Sequence, residues 1–207
     1  SSSKMLLLTS SNEARIGINS PTGNIVWGSV DTNRPLGADY DIAVLDENRF
    51  LVSYEGVSHR GACAIIGTVN GDNSITWGTE ALAYYTYEIR GSSVAMIDDT
   101  HFVAVYSAYE AVVGTIDGTN ITFGSRFVLN NAPSNGSGSA IIPIGNNQAF
   151  IIYYDRAVIC TVDGSNITYG TDVNYTEGYG AADIAAVALD ESRIFVAFTR
   201  QSAPTDE

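Results

Sequence analysis

Apolar residues in this chain come in short, nearly unbroken runs rich in Val, Ile, Tyr and Phe, separated by small clusters of Asn, Asp, Gly and Ser. Runs of that composition bounded by turn formers predict β-strands joined by tight turns, and no stretch has the spacing and end caps of a helix. One pattern recurs four times, as Ile25-Val26-Trp27-Gly28, Ile75-Thr76-Trp77-Gly78, Ile121-Thr122-Phe123-Gly124 and Ile167-Thr168-Tyr169-Gly170, its glycines 50, 46 and 46 residues apart. Each copy follows a strand and a turn, the turns being Asn19 to Gly23, Asn70-Gly71, Asp117-Gly118 and Asp163-Gly164. Asn-Gly and Asp-Gly tolerate positive φ, so each pair of strands is expected to form a hairpin.

A second hairpin recurs between these. It runs from Ile42 through Asp46-Glu47-Asn48-Arg49 to Tyr54, with copies from Val94 to Tyr106, Ile141 to Tyr153 and Ala186 to Phe198. Its strands are apolar on both sides of the pleat, which predicts cover on both faces. Naming the strands A (Ile42 type), B (Phe50 type), C (Gly67 type) and D (Ile75 type), the chain reads B-C-D, three complete A-B-C-D sets, then A-B. Four strands per repeat joined by short turns is a propeller-blade pattern. The fold expected is therefore all-β: a single β-propeller of about four four-stranded blades, A innermost, closed by pairing N- and C-terminal strands, with one surplus B strand. The domain spans 1–200, with repeats near 5–49, 50–101, 102–149 and 150–193, a partial repeat at 194–200 and a tail at 201–207.

The repeat resembles the short propeller-like repeats, of form G-T-V-x-G-x-x-I-T-F-G, of secreted microbial surface proteins and phage tail-fibre-like proteins. The resemblance covers nearly the whole chain. It implies an architecture, and roles in such proteins that range over lectin, adhesive and structural.

Charge narrows the classes of partner. The formal net charge is -13 and Lys4 is the only lysine. Such a surface repels phosphate backbones and anionic lipid, so no nucleic-acid partner is expected. No run of about 18 apolar residues is present, so no membrane insertion is expected. The opening Ser1-Ser2-Ser3 fits a trimmed N-terminus, and an extracellular or cell-surface location fits the acidic composition. Cys63 and Cys160 fall in non-adjacent repeats and read as separate buried thiols.

Little here points to catalysis, so no enzyme, no cofactor and no metal are expected. His101 occupies an A–B turn where the other repeats have Arg49, Gln148 and Arg193. The pairs Asp46-Glu47, Asp98-Asp99 and Asp190-Glu191 all fall at that same turn, where Asp nucleates the hairpin, and no calcium-loop spacing accompanies them. Trp27, Trp77, Phe123 and Tyr169 read as packing between blades, with sugar stacking as the alternative.

The candidate ligand residues lie in the B–C and D–A connections, which emerge on one face of a propeller. They are Arg34, His59, Arg60, Tyr84, Tyr85, Tyr87, Arg90, Tyr109, Asp155, Arg156, Tyr175 and Tyr179, with Glu110 beside Tyr109. Loops rich in Tyr on a rigid scaffold make recognition surfaces at low entropic cost. Asn120, Asn135, Asn166 and Asn174 carry N-x-S/T sequons and are candidate glycosylation sites. The function expected is a non-enzymatic extracellular recognition or adhesion module, its partner a glycan or a surface protein. The alternative is a structural subunit of a surface filament, pairing with identical subunits through an edge strand.

Overall fold

The structure, a computed structural model, describes residues 4–9, 13–32, 37, 39–56, 61–85, 91–107, 110–129, 138–177, 179–190 and 192–200. Every element among them is a β-strand, and every pairing is antiparallel. Sheet I contains β1 (Lys4–Thr9), β2 (Glu13–Asn19) and β3 (Ile25–Trp27). Sheet II runs β4 (Asp41–Val44), β5 (Arg49–Glu55), β6 (Gly61–Val69) and β7 (Ile75–Trp77), with β8 (Ala81–Tyr85) also on β6. Sheet III runs β9 (Ser92–Met96), β10 (His101–Tyr106), β11 (Glu110–Asp117) and β12 (Asn120–Phe123), with β13 (Phe127–Val128) on β11. Sheet IV runs β14 (Ser139–Gly145), β15 (Gln148–Tyr153), β16 (Arg156–Asp163) and β17 (Asn166–Tyr169), with β18 (Val173–Asn174) on β16. Sheet V is the hairpin of β19 (Ala181–Asp190) and β20 (Arg193–Arg200).

Sheets II, III and IV are the three complete A-B-C-D sets in the order the repeat predicts. The short β8, β13 and β18 have no counterpart in that reading. Each pairs with the first half of the C strand while the D strand pairs with its second half, so the outer strand is one strand broken at the motif glycine. Sheet I repeats the break through a single bridge, Ala14 to Asp31.

The break has a steric cause. A Cβ added to Gly28, Gly78 or Gly124 would press on the C–D turn of the following sheet, at Asn73, Thr119 and Ser165 respectively. The recurring glycine therefore lets the next sheet's turn close against the outer strand, and a side chain there would hold the sheets apart. The C–D turns also differ from expectation in one place: in sheet II the left-handed residue is Asn73 (φ 65°) and not Gly71. Asn73 donates to the carbonyl of Asn70 and Asn70 to that of Ser74, so the loop is Gly71-Asp72-Asn73, one residue longer than a two-residue hairpin loop.

The sheets stack face to face in chain order around apolar clusters. Between I and II lie Ile16, Phe50, Val52 and Ile65; between II and III, Leu51, Ile66, Phe102 and Ala104; between III and IV, Val103, Val105, Ile151 and Val158. Alternate residues of one strand serve the two joints, as Phe102 and Val103 do, which is why the B strands read as continuously apolar. Polar links cross the same joints. The Trp77 indole N–H donates to Asp31 at 2.8 Å, the Tyr106 hydroxyl to the carbonyl of Cys63 at 2.9 Å, and Arg49 to the carbonyl of Gly118 at 2.9 Å.

The expected closure by strand pairing is not seen among the described residues. Among the described residues sheets I and V are separate, and no closed ring forms. An A strand offers one edge to a B strand, and that edge of β19 is already taken by β20. β1, the other B strand, is held by β2 over all six of its residues. The surplus strand thus blocks the clasp it was expected to sit beside.

Candidate ligand-binding face

The B strands end at Glu55, Tyr106 and Tyr153, and the A strands begin at Asp41, Ser92, Ser139 and Ala181, so all B–C and D–A connections gather at one end of the sheets. The centre of that end is a seam of short polar side chains. The Asp41 carboxylate accepts the N–H of Val94 in the next sheet and that of Ile42, both at 2.8 Å. The hydroxyls of Ser53 and Ser92 meet at 2.5 Å, and those of Ser93 and Ser139 at 2.6 Å. Burial pushes the Asp41 carboxyl above its ordinary pKa against the opposing pull of its two amide donors. These groups tie β4, β5, β9 and β14 together.

The candidate loop residues divide. Arg34, His59, Arg60, Tyr87, Arg90, Tyr109 and the sequon Asn135 lie outside the described residues. Tyr84 faces inward, edge-on to Tyr106 at 6.0 Å with the Arg126 guanidinium over its ring at 5.2 Å. Asp155 accepts from Asn174 at 2.8 Å, and Arg156 donates to Asp172 at 2.7 Å. The Tyr175 hydroxyl donates to the carbonyl of Tyr154 and its ring abuts Phe198, while Arg200 covers the Tyr179 ring. Only Tyr85, 71% exposed, turns its ring outward among the described members of this set. Asn120 and Asn166 are exposed at the start of β12 and β17, and Asn174, also exposed, is engaged with Asp155.

A pairing that the sequence reading missed explains part of this. Glu110 is buried and bound by Arg126 at 2.8 Å; one repeat later the same two places hold Arg156 and Asp172, the charges exchanged. In sheet II they hold Cys63 and Glu80, and Tyr54 donates to that carboxylate at 2.5 Å. The signal was present as oppositely signed residues 16 apart in successive repeats. These charges anchor the loop end to the outer strand.

The turn carboxylates do what the turn requires. Asp46 and Asp98 each accept the backbone N–H groups two and three residues on, and Asp190 accepts that of Ser192. Arg49, His101 and Arg193 close on the second oxygen. Hydrogen bonds from Arg193 and Ser192 lower the Asp190 pKa to about 2. Among the described residues no group of three His, Cys, Asp or Glu could hold a metal ion.

Trp77, Phe123 and Tyr169 pack into the joints on their sheets' preceding sides, as expected of packing residues. Trp27, on sheet I, faces no further sheet among the described residues and is 38% exposed. Shallow grooves run along two joints at the outer rim, about 330 Å³ between Thr79–Leu82 and Asn120–Phe123, and about 250 Å³ between Ser29–Thr32 and Ser74, Ile75 and Trp77. At the next joint Phe127 stacks on Tyr169 at 4.1 Å in the corresponding place.

Cys63 and Cys160 are free, buried, and in different sheets. Burial, with the Glu80 charge adding, pushes the Cys63 thiol up to about 12, and burial pushes Cys160 up to about 11. Thiolate at neutral pH is then scarce, so both should resist alkylation in the native protein and react together in denaturant. Thiol counting checks this; rapid native labelling would contradict it.

Compared with protein-family models and with curated proteins, the chain matches no family and no relative.

Proposed function

We propose that this protein is a non-enzymatic recognition module of β-propeller kind, acting outside the cell or at its surface, with its sheets as blades and the A strands innermost. The observation that carries the reading is the gathering of every B–C and D–A connection at one end, over a seam in which neighbouring A strands are hydrogen-bonded to one another. A rigid rim bearing long, variable loops is a construction suited to recognition. The ligand class it fits best is a glycan, taken by stacking on outward tyrosines such as Tyr85 and by hydrogen bonds from loop Tyr and Arg side chains. A strongly acidic surface disfavours anionic polysaccharide, so a neutral glycan is the expected class.

A glycan array followed by titration of Tyr85→Ala tests the reading. The substitution should weaken binding about tenfold and leave the melting temperature unchanged, because the ring is exposed. Absence of binding to any glycan would count against the glycan; loss through unfolding would count against the assignment of Tyr85.

A second reading is favoured by a specific observation, the uncovered outer faces of sheets I and V. On it the protein is a structural subunit of a surface assembly.

A further inference from the structure

Every joint between neighbouring sheets uses the same two faces. Toward sheet III, sheet II presents Ala43, Leu45 and Leu51; toward sheet I it presents Phe50, Val52 and Ile65, with Trp77 beside them. The repeat register places Asp46 on Asp190, which carries the first three onto Val187, Leu189 and Phe195 of sheet V. It also places Gly67 on Gly17, which carries the second set onto Met5, Leu7, Arg15 and Trp27 of sheet I. In sheet II these positions are buried or nearly so. In sheet V they are 54, 61 and 58% exposed, and in sheet I Met5, Leu7 and Trp27 are 46, 41 and 38% exposed. The two ends of the stack are opposite halves of the joint that the chain makes internally between neighbouring sheets.

A further feature of the joint is present at one end without its partner. Arg49 reaches the C–D turn of the following sheet at Gly118, whereas its counterpart Arg193 is 72% exposed and pairs with its own turn aspartate, Asp190.

We propose that the occupant of both faces is a second copy of this chain, sheet V of one copy stacking on sheet I of the next. Val187, Leu189 and Phe195 of the first copy then cover Met5, Leu7 and Trp27 of the second. Arg193 of the first copy then reaches the carbonyls of the Ser20–Asn24 turn of the second. The contact is heterologous, so each copy keeps one free half and the assembly grows head to tail. The proposal gives the second reading above its interface: stacked faces in place of a shared edge strand. It stands apart from ligand binding at the loop end.

Light scattering across a range of concentrations, on the wild type, on Phe195→Glu, on Trp27→Glu and on an equimolar mixture of the two variants, tests it. The wild-type mass should rise with concentration. Each variant should weaken association at least about tenfold and melt as the wild type does, since both side chains are exposed in the single copy. The mixture should stop at dimers, because one intact half remains on each variant. Leu189→Glu and Met5→Glu serve as replacements if either variant misfolds. A wild type that stays monomeric with variants that melt much earlier would place the contact within one chain and overturn the proposal. A wild type that stays monomeric with unchanged variants would overturn both the proposal and the assembly reading. Association equal in wild type and both variants would overturn the stacked faces while leaving assembly standing.

Discussion

Phe102→Ala should lower stability by about 3–5 kcal/mol, the cost of truncating a buried aromatic that its surroundings cannot collapse to fill. Phe102 is fully buried between sheets II and III, its ring laid over Gly114 of the neighbouring strand and set edge-on to Phe123 at 5.8 Å. The same geometry makes Gly114 obligatory, because a Cβ there would fall inside the ring's van der Waals envelope. Gly114→Ala alone should cost about 1–3 kcal/mol through overpacking. The two changes should not add: with the ring removed, the new methyl occupies part of the cavity, so the double variant should be more stable than the sum predicts. Urea unfolding of the four proteins measures the coupling. Strict additivity would mean that ring and glycine do not touch.

Trp77→Ala should cost about 3 kcal/mol, and Trp27→Ala, at the same place in the repeat, under about 1 kcal/mol in dilute protein. The two differ in what surrounds them. Trp77 is clasped between Phe50, whose ring meets it edge-on at 5.5 Å, and the Asp31 carboxylate that accepts its indole N–H. Trp27 faces open solvent on sheet I beside Arg15, whose guanidinium sits 5.8 Å from its ring. Trp77→Phe separates the parts, keeping the packing and losing the hydrogen bond, and should cost about 1 kcal/mol. Equal losses at Trp27 and Trp77 would show that neither the Phe50 ring nor the preceding sheet contributes to Trp77.

The strands and their hairpin registers were legible in the chain because they rest on local chemistry. Asp46, Asp98 and Asp190 cap their turns with their own carboxylates, and each strand's apolar run is bounded by residues that favour turns. What was not legible depends on groups brought together from different repeats. The break in the outer strand follows from Gly78 meeting Thr119, a contact across a joint that no local pattern encodes. Edge occupancy defeated the expected clasp: counting strands revealed one B too many, but only the pairing of β19 with β20 shows that the surplus excludes β1. Of the candidate loop face, half lies outside the described residues, and the side-chain directions of the rest could not be read from composition. Tyr84, Arg156 and Tyr175 have the composition of recognition loops and are engaged instead in ring and ion contacts within the chain, a distinction that depends on side-chain direction alone.

The central claim is that stability resides in joints between stacked sheets, so that a sheet covered on both faces is held more firmly than one covered on a single face. Amide hydrogen exchange under dilute, monomeric conditions tests this strand by strand. The slowest amides should be those of Leu51–Tyr54 and Val103–Tyr106 in the doubly covered B strands, with β1, β3 and β20 exchanging much faster. Protection of β1 and β20 equal to that of β5 and β10 in the monomer would contradict the account, since it would require cover on the very faces that the structure leaves open.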